Sequence, residues 1–413
     1  MSGKVCMIGL GYVGLPTAAV AAGAGYDVLG VEVRAERVRD INDGKSYLVE
    51  PGMEELIAEQ VANGRLKAAT EPAPAEYFVI AVPTPFREGH QPDVSIVEAA
   101  ADSIAPHLQP GNTVILESTS PVGTTEALVK RIAKLRPDLV MPGGAGENDD
   151  YVAFAYCPER VLPGQSIREL KENDRVIGGI TPVCAQRASA FYRGFLTTGQ
   201  CFETTAATSE LVKLSENAYR DVNIAFANEL SIIAESNGVN PWKLIALANR
   251  HPRVTILQPG PGVGGHCIAV DPWFIVARNP DDARIIRTAR EVNTAKTDYV
   301  IEKVLDAMEV RQAKKVALLG LSYKPNVDDV RESPSLHIVN ALQSKSNVEL
   351  LVVEPHISVL PKELRNSRVR MVTMEEAHEA ADLLVVLVKH DAFRRLRELL
   401  PNKPMLDLCG LYA

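Results

Sequence analysis

Val5-Cys6-Met7-Ile8-Gly9-Leu10-Gly11-Tyr12-Val13-Gly14-Leu15-Pro16 reads as a strand, a turn and the start of a helix in immediate succession. The apolar run leads into Gly9-Leu10-Gly11-Tyr12-Val13-Gly14, a complete G-x-G-x-x-G, and a helical pattern follows from Leu15. The first glycine permits a tight turn and the second lets a pyrophosphate approach the backbone. The third lets the helix pack on the strand, with its N-terminus facing the phosphates. Flanking strand and helix give the motif its weight. The fold class expected is α/β, with a Rossmann-type dinucleotide domain at the N-terminus.

No charged residue interrupts Val5 to Tyr26, and Lys4 stands before the run like the n-region of a signal peptide. Gly9, Gly11, Gly14, Pro16, Gly23 and Gly25 are too many breakers for one apolar helix. A buried strand, turn and helix is therefore expected here, with neither export nor membrane insertion. Glu32 closes the next strand, eighteen residues beyond Gly14, where an acid bonds the adenine ribose hydroxyls and repels a 2′-phosphate. NAD is the expected cofactor, although the neighbouring Arg34 and Arg37 would suit a 2′-phosphate.

Outward from the motif, apolar runs alternate with helical patterns, as in a parallel sheet covered on both faces. Strands are expected at Val5–Gly9, Val28–Val33, Tyr77–Val82, Thr113–Ser118, Val152–Cys157 and Arg175–Gly178. Thr204 to Gly238 lacks internal Gly and Pro and reads as one long central helix stopped by Gly238. The alternation returns after Met308, with strands at Lys315–Gly320, Glu349–Glu354, Asp382–Val388 and Pro404–Leu408 and helices at Ser335–Gln343 and Met374–Ala380. This second, smaller Rossmann-like domain has no G-x-G-x-x-G, so it implies no second dinucleotide. A chain of 413 residues exceeds one compact core. The expected division is an NAD-binding domain at 1–203, a central helical domain at 204–308 and a C-terminal domain at 309–413.

The net charge of −8 argues against a nucleic-acid partner, which would select a basic face. Six cysteines are scattered without a C-x-x-C pair, which fits neither a disulfide framework nor a zinc site and suits a reducing cytoplasm. One of them has a special setting. Cys267 lies in Gly262-Val263-Gly264-Gly265-His266-Cys267-Ile268-Ala269-Val270-Asp271-Pro272-Trp273, where glycines leave a thiol accessible and let backbone approach a ligand. An enzyme that only interconverts an alcohol and a carbonyl needs no nucleophile, so a cysteine here suggests a substrate held covalently between two hydride transfers.

The central helix carries Lys213, Asn217 and Arg220 on one face, near Ser209 and Glu216. Asn is a poor helix-interior residue unless its amide is used, and Lys can exchange a proton with an alcohol. Arg160 after Cys157-Pro158-Glu159, His251-Pro252-Arg253, Tyr323-Lys324-Pro325 and Arg331 are basic residues in loops that together could neutralise a pyrophosphate. The loops Pro83-Thr84-Pro85 and Ser118-Thr119-Ser120-Pro121 fall where ligands meet the carboxyl ends of an α/β sheet.

Taken together, GLGYVGLP, VPTP, ESTSPVGTT, YCPERVLPG, LVKLSENAYRDVNIAFANEL, GPGVGGHCIAVDPWF and GLSYKPNVDDVRESP resemble the UDP-sugar 6-dehydrogenase family from end to end. Ile268-Ala269-Val270-Asp271 after the cysteine, with His266 ahead, is similar to the family's N-acetylhexosamine branch. The resemblance implies a twofold, four-electron oxidation of the C6 alcohol of UDP-N-acetylmannosamine, with UDP-N-acetylglucosamine as the alternative. It implies Cys267 as nucleophile through a thiohemiacetal and a thioester, Lys213 as proton donor or acceptor, and Asn217 as oxyanion support. Asp271, Glu159 and Thr119 would assist proton transfer and water. By the same resemblance Tyr12, Val13, Glu32, Arg37, Thr84 and Thr119 line the NAD site, with Arg331 reaching it from a neighbouring subunit. Arg160, Val161, Lys213, Asn217, Arg220, His251, Arg253, Gly264, Tyr323 and Lys324 would hold the UDP-sugar. A homodimer is implied through the central helix, where Val222, Phe226 and Leu230 are the expected apolar positions. Glu32 departs from the family's more frequent Asp.

Two other readings compete. A β-hydroxyacid-type dehydrogenase also uses a helix-borne Lys-x-x-x-Asn but performs one oxidation and needs no Cys267. A catalytically silent NAD or nucleotide-sugar sensor could dispense with both Lys213 and Cys267.

Overall fold

The computed structural model describes residues 3–48, 50–143, 150–162, 164–265, 267–365, 368–396 and 403–412. The chain divides into two compact units, Met1–Ser215 and Glu216–Ala413. The boundary falls within one continuous helix.

The first unit is a Rossmann-type domain. Its strands are β1 (Lys4–Ile8), β2 (Asp27–Val31), β3 (Leu66–Ala69), β4 (Tyr77–Ile80), a short hairpin of β5 (Phe86–Arg87) and β6 (Gln91–Pro92), then β7 (Thr113–Leu116), β8 (Ala153–Tyr156), β9 (Arg175–Gly179) and β10 (Cys201–Thr205). The main sheet runs β10-β9-β8-β7-β4-β1-β2-β3 and is parallel except where β9 meets β8. Crossover helices are α1 (Gly14–Gly23), α2 (Ala35–Asn42), α3 (Met53–Ala62), α4 (Ser95–Ile104), α5 (Thr124–Leu135), α6 (Ser166–Glu172) and α7 (Pro182–Arg193). The order reverses between β1 and β4, and in such sheets the crevice at that switch point receives the ligand.

Helix α1 explains the uncharged run from Val5 to Tyr26. Gly14 to Ala22 are all buried, because small side chains let the helix lie against the sheet under α3 and α6. Among the described residues no helix is long and apolar enough to cross a membrane.

The second unit holds most of α8 (Ala206–Ser236), then α9 (Pro241–Ala248), α10 (Asp271–Arg278) and α11 (Arg284–Val310). Its parallel sheet runs β13 (Val369–Met371), β12 (Glu349–Val353), β11 (Lys315–Leu319), β14 (Leu383–Val386), β15 (Met405–Asp407), flanked by α12 (Pro334–Lys345) and α13 (Met374–Ala380). The long central helix and the smaller Rossmann-like domain are thus both present.

Several expected strands overrun the real ones at their carboxyl ends. Gly9, Glu32, Val82, Ser118, Cys157, Gly320 and Glu354 lie in loops just beyond their strands. They leave the ladder at the carboxyl ends of their strands. The short β3, β10 and β13 carried no alternating pattern, and α11 was not anticipated. Its buried stripe includes Arg290, Asn293, Lys296 and Thr297, so the apolar period is masked. On α8, Phe226 is exposed as expected, but Val222 and Leu230 are half-buried. The exposed large apolar side chains of α8 are Leu211, Tyr219, Phe226 and Ile233, the last three at one residue every two turns.

Candidate active site

The glycine turn is shaped by close packing at two positions and by openness at a third. Gly9 has φ +92°, its N–H donates to the Val31 carbonyl (2.9 Å), and a Cβ there would meet the Ala81 oxygen at 2.6 Å. A Cβ on Gly14 would collide with the Gly9 carbonyl oxygen. A Cβ on Gly11 would meet nothing within 4 Å, so the backbone face is open as a close ligand requires. Tyr12 is exposed and Val13 half-buried beside it. No acid occupies the first turn of α1, which leaves its N-terminal dipole to an anion.

Neighbouring loops are tied together at the same rim. Thr84 Oγ1 donates to the Thr119 carbonyl (2.5 Å), and the Val82 N–H donates to Ser118 Oγ (2.9 Å). Glu32 is 7% exposed, accepts the Arg34 N–H on Oε1 (3.1 Å) and has Arg37 Nη1 at 3.8 Å from Oε2. The Arg37 guanidinium also lies 4.3 Å from the Tyr47 ring centroid. Arg37 is therefore occupied by an acid and a ring, which removes much of its suitability for a 2′-phosphate.

The start of α8 is pinned to the first sheet. Ser209 Oγ donates to the Val176 carbonyl (2.8 Å), and buried Glu210 accepts the N–H groups of Gly123 (2.6 Å) and Thr125 (2.8 Å). One turn further, Lys213 Nζ donates to the Glu159 carbonyl (2.9 Å) in the loop after β8. The buried Glu159 carboxylate turns back on its own loop and accepts the Val161 N–H at 2.7 Å. Arg160 Nη1 donates to the Asp174 carbonyl (3.3 Å) from an exposed position.

Four residues beyond Lys213 on the same helix, Asn217 Nδ2 donates to Asp271 Oδ2 (2.5 Å). Asp271 is 3% exposed and opens α10. Its N–H and that of Val270 both donate to the Cys267 carbonyl (2.8 and 3.0 Å), so Cys267 forms the turn that starts the helix. The thiol side chain is half-buried, and no described cysteine forms a disulfide. His266 lies outside the described residues.

Gly264 and Gly265 press against the loop after β11. A Cβ on Gly264 would meet the Glu332 oxygen at 2.5 Å, one on Gly265 the Tyr323 ring at 2.9 Å, and the Gly265 N–H donates to the Arg331 carbonyl (3.2 Å). Lys324 Nζ lies 5.6 Å from the Tyr323 ring centroid, while exposed Arg331 makes a bidentate pair with Asp329 (2.9 and 2.7 Å). Within the second unit Asn217, Asp271 and Cys267 are joined by hydrogen bonds, and Gly264 and Gly265 lie against Tyr323. Arg220 is exposed on α8, and His251 and Arg253 are exposed in the turn after α9, where the Arg253 N–H donates to His251 Nδ1 (3.3 Å). Lys213 and Glu159 belong to the first unit and Cys267 to the second.

Sequence reading missed the polar lock behind this arrangement. Asp221 on α8 pairs with Arg290 on α11 (2.6 Å) and accepts from Asn293 (2.8 Å), both inside the protein. Asn228 donates to Asn293 Oδ1 (2.9 Å) and accepts the Gly260 N–H (3.0 Å), tying the approach to the cysteine turn onto α8. Such residues at helical spacing look solvated in a sequence; only the partners reveal them as buried.

Residues 3–196 match the NAD binding domain of the UDP-glucose/GDP-mannose dehydrogenase family, 207–295 its central domain and 317–413 its UDP binding domain. The chain is 53% identical over 398 residues to the UDP-N-acetyl-D-mannosamine dehydrogenase of Escherichia coli strain K12, covering 94% of each. It is 52% identical over 410 residues to the NDP-N-acetyl-D-galactosaminuronic acid dehydrogenase of Ralstonia nicotianae, covering 99% of this chain and 96% of that one. A solved structure of the UDP-N-acetyl-mannosamine dehydrogenase from Staphylococcus aureus superposes with a TM-score of 0.87 at 38% identity, covering 99% of this chain and 95% of that chain.

Proposed function

The chain belongs to the UDP-glucose/GDP-mannose dehydrogenase family, and we propose that it oxidises the C6 alcohol of UDP-N-acetylmannosamine twice, to the uronic acid, through Cys267. NAD is its cofactor, and the crowded Gly9 and Gly14, the open Gly11 and the buried Glu32 fit it. When bound, NAD would supply the hydride acceptor for each oxidation.

In this reading Lys213 takes the hydroxyl proton as the first hydride leaves, giving the aldehyde. Cys267 Sγ adds to the aldehyde carbon, and the resulting thiohemiacetal loses a proton and a second hydride to become a thioester. Water then cleaves the thioester, returning the thiol and releasing the carboxylate, with two NADH and three protons formed in all. Asn217 supports the oxyanion, while Asp271, Glu159 and Thr119 handle protons and water. Tyr323 and Lys324 hold the pyrophosphate end with Arg160, Val161, Arg220, His251, Arg253 and Gly264. Arg331 serves the NAD site of a neighbouring subunit.

The observation that carries the reading is the cysteine turn: its carbonyl starts α10, whose first residue, Asp271, is bonded to Asn217 on the helix that bears Lys213. A one-step alcohol dehydrogenase has no use for a thiol held there. The names of the E. coli and S. aureus relatives support the mannosamine substrate. The Ralstonia relative favours a second reading, the same chemistry on a galactosamine-type sugar. The exposed row of Tyr219, Phe226 and Ile233 supports a homodimer through α8. Six cysteines without a disulfide support a reducing cytoplasm.

A panel of UDP-N-acetylmannosamine, UDP-N-acetylglucosamine, UDP-N-acetylgalactosamine and UDP-glucose, read by NADH absorbance, tests the substrate. The mannosamine sugar should have the highest kcat/KM; equal or better turnover of another sugar would reassign it.

A further inference from the structure

A glutamate and a histidine from the two strands that flank β11 converge on the loop that follows it. Glu354 comes just after β12 and His390 a few residues after β14; their side chains are fully buried. Glu354 Oε2 accepts the N–H groups of Leu321 (2.7 Å) and Ser322 (3.2 Å), and its Oε1 accepts the His356 N–H (2.9 Å). His390 Nδ1 accepts the Asn326 N–H (3.0 Å), which leaves its proton on Nε2, 3.1 Å from Glu354 Oε2 and 3.3 Å from Ser322 Oγ. Ser322 Oγ in turn donates to the Lys324 carbonyl (2.8 Å). At the rim, Asn326 and Asp391 exchange a pair of hydrogen bonds, Nδ2 to Oδ2 at 2.7 Å and N–H to Oδ1 at 3.0 Å.

Between them Glu354 and His390 hold the segment from Leu321 to Asn326, and that segment carries Tyr323 and Lys324. We propose that Glu354 and His390 are positioning residues for nucleotide recognition, clamping the Tyr323–Lys324 loop in the shape that receives the uridine diphosphate of the substrate. The proposal rests on the reading of these two residues as UDP-sugar ligands. Burial alone would push the Glu354 carboxyl up; the His390 bond and the N–H groups of Leu321 and His356 outweigh it and hold the group below the usual carboxylate range. The carboxylate is thus kept ionised as an acceptor for backbone N–H groups.

Glu354, His356 and His390 also bring potential ligand atoms within 4.8 Å of one another, as a metal centre would. The hydrogen bonding argues for the clamp instead. The His390 Nδ1 lone pair already faces the Asn326 N–H, and Nε2 carries the proton, so the ring offers no lone pair to an ion. His356 is exposed, its ring centroid 4.9 Å from that of His390.

Titration calorimetry with UDP tests the clamp without requiring turnover. His390→Leu should raise the Kd for UDP and the KM for the UDP-sugar about tenfold or more, which is about 1.4 kcal/mol, with NAD KM and kcat changed less than about twofold. His390→Gln, which can still donate and accept, should recover part of the affinity. Because the core variant can fail to fold, Asp391→Ala provides a second test at the exposed rim. It removes the Asn326 side-chain partner together with the exposed Arg394 ion pair and should raise the UDP Kd about threefold. Unchanged UDP affinity in a folded His390→Leu and in Asp391→Ala would overturn the clamp while leaving UDP recognition intact. Absence of UDP binding by the unaltered protein would overturn both readings. A rise in Tm on adding zinc, abolished by His390→Leu, would replace the clamp with a metal centre.

Discussion

In each main sheet the first strand is followed by a glycine of positive φ, Gly9 at +92° and Gly320 at +98°. Each donates its N–H at 2.9 Å to the last residue of the second strand, Val31 or Val353, and an acid follows, Glu32 or Glu354. Each acid accepts the N–H of the residue two positions on, Arg34 at 3.1 Å or His356 at 2.9 Å. Beyond that the turns diverge. The first continues through an open Gly11 straight into α1, and among the described residues its acid meets the Arg34 N–H and a distant Arg37. The second runs on as a loop until α12, and its acid is saturated by Leu321, Ser322 and His390. One strand–glycine–acid plan thus serves two ends. An acid with spare acceptor capacity suits a ribose, whereas one filled by its own loop has become part of the fold.

Alanine at each glycine of the first turn is the strongest way to break this comparison. Gly14→Ala drives a methyl into the Gly9 carbonyl and should destabilise the protein by about 3 kcal/mol or prevent folding. Gly11→Ala meets open space and should leave urea stability within about 0.5 kcal/mol while raising the KM for NAD. Equal stability losses at both positions would contradict the division of labour between packing and ligand approach.

Changing each acid to its amide separates the turns next. Glu354→Gln leaves buried N–H groups short of an acceptor and should cost about 2 kcal/mol, read as a lower urea midpoint. Glu32→Gln should cost less than about 1 kcal/mol, because among the described residues a single backbone N–H depends on it. A smaller effect follows for the cofactor. Glu32→Ala should relax discrimination against NADP about tenfold in kcat/KM, since the repulsive carboxylate is gone. Unchanged discrimination would detach Glu32 from the ribose.

Glu117, which follows β7, adds a third acid with a different history. Burial pushes its carboxyl up to about 7, against the pull of Arg175 and of the Tyr192 hydroxyl 2.8 Å away. A raised folded value means that the protonated form is favoured in the fold. The stability it contributes is present below the ordinary carboxylate range and is lost as pH rises through about 7. Thermal melts across that window should therefore show a declining Tm, and Glu117→Gln should flatten the decline. An identical pH profile for the variant would remove Glu117 as its source.

The first turn could be read because its residues are contiguous: Gly9, Gly11, Gly14 and Glu32 stand at fixed offsets along the chain. Cys267 and the Lys213–Asn217 pair stand out in the sequence for the same reason, as reactive residue types in an unusual local setting. Glu354 was expected inside a strand, and nothing near it announces that its partners are Leu321 and His390. Helix α11 was hidden for a related cause. Arg290 and Asn293 are buried because Asp221 and Asn228 meet them from α8, and that compensation depends on residues far apart in sequence.

The central claim, a four-electron oxidation through Cys267, is tested most directly by counting NADH against a limiting amount of UDP-N-acetylmannosamine. The account predicts two NADH per sugar, with the uronic acid as the only product. A ratio of one, with the aldehyde released, would contradict it.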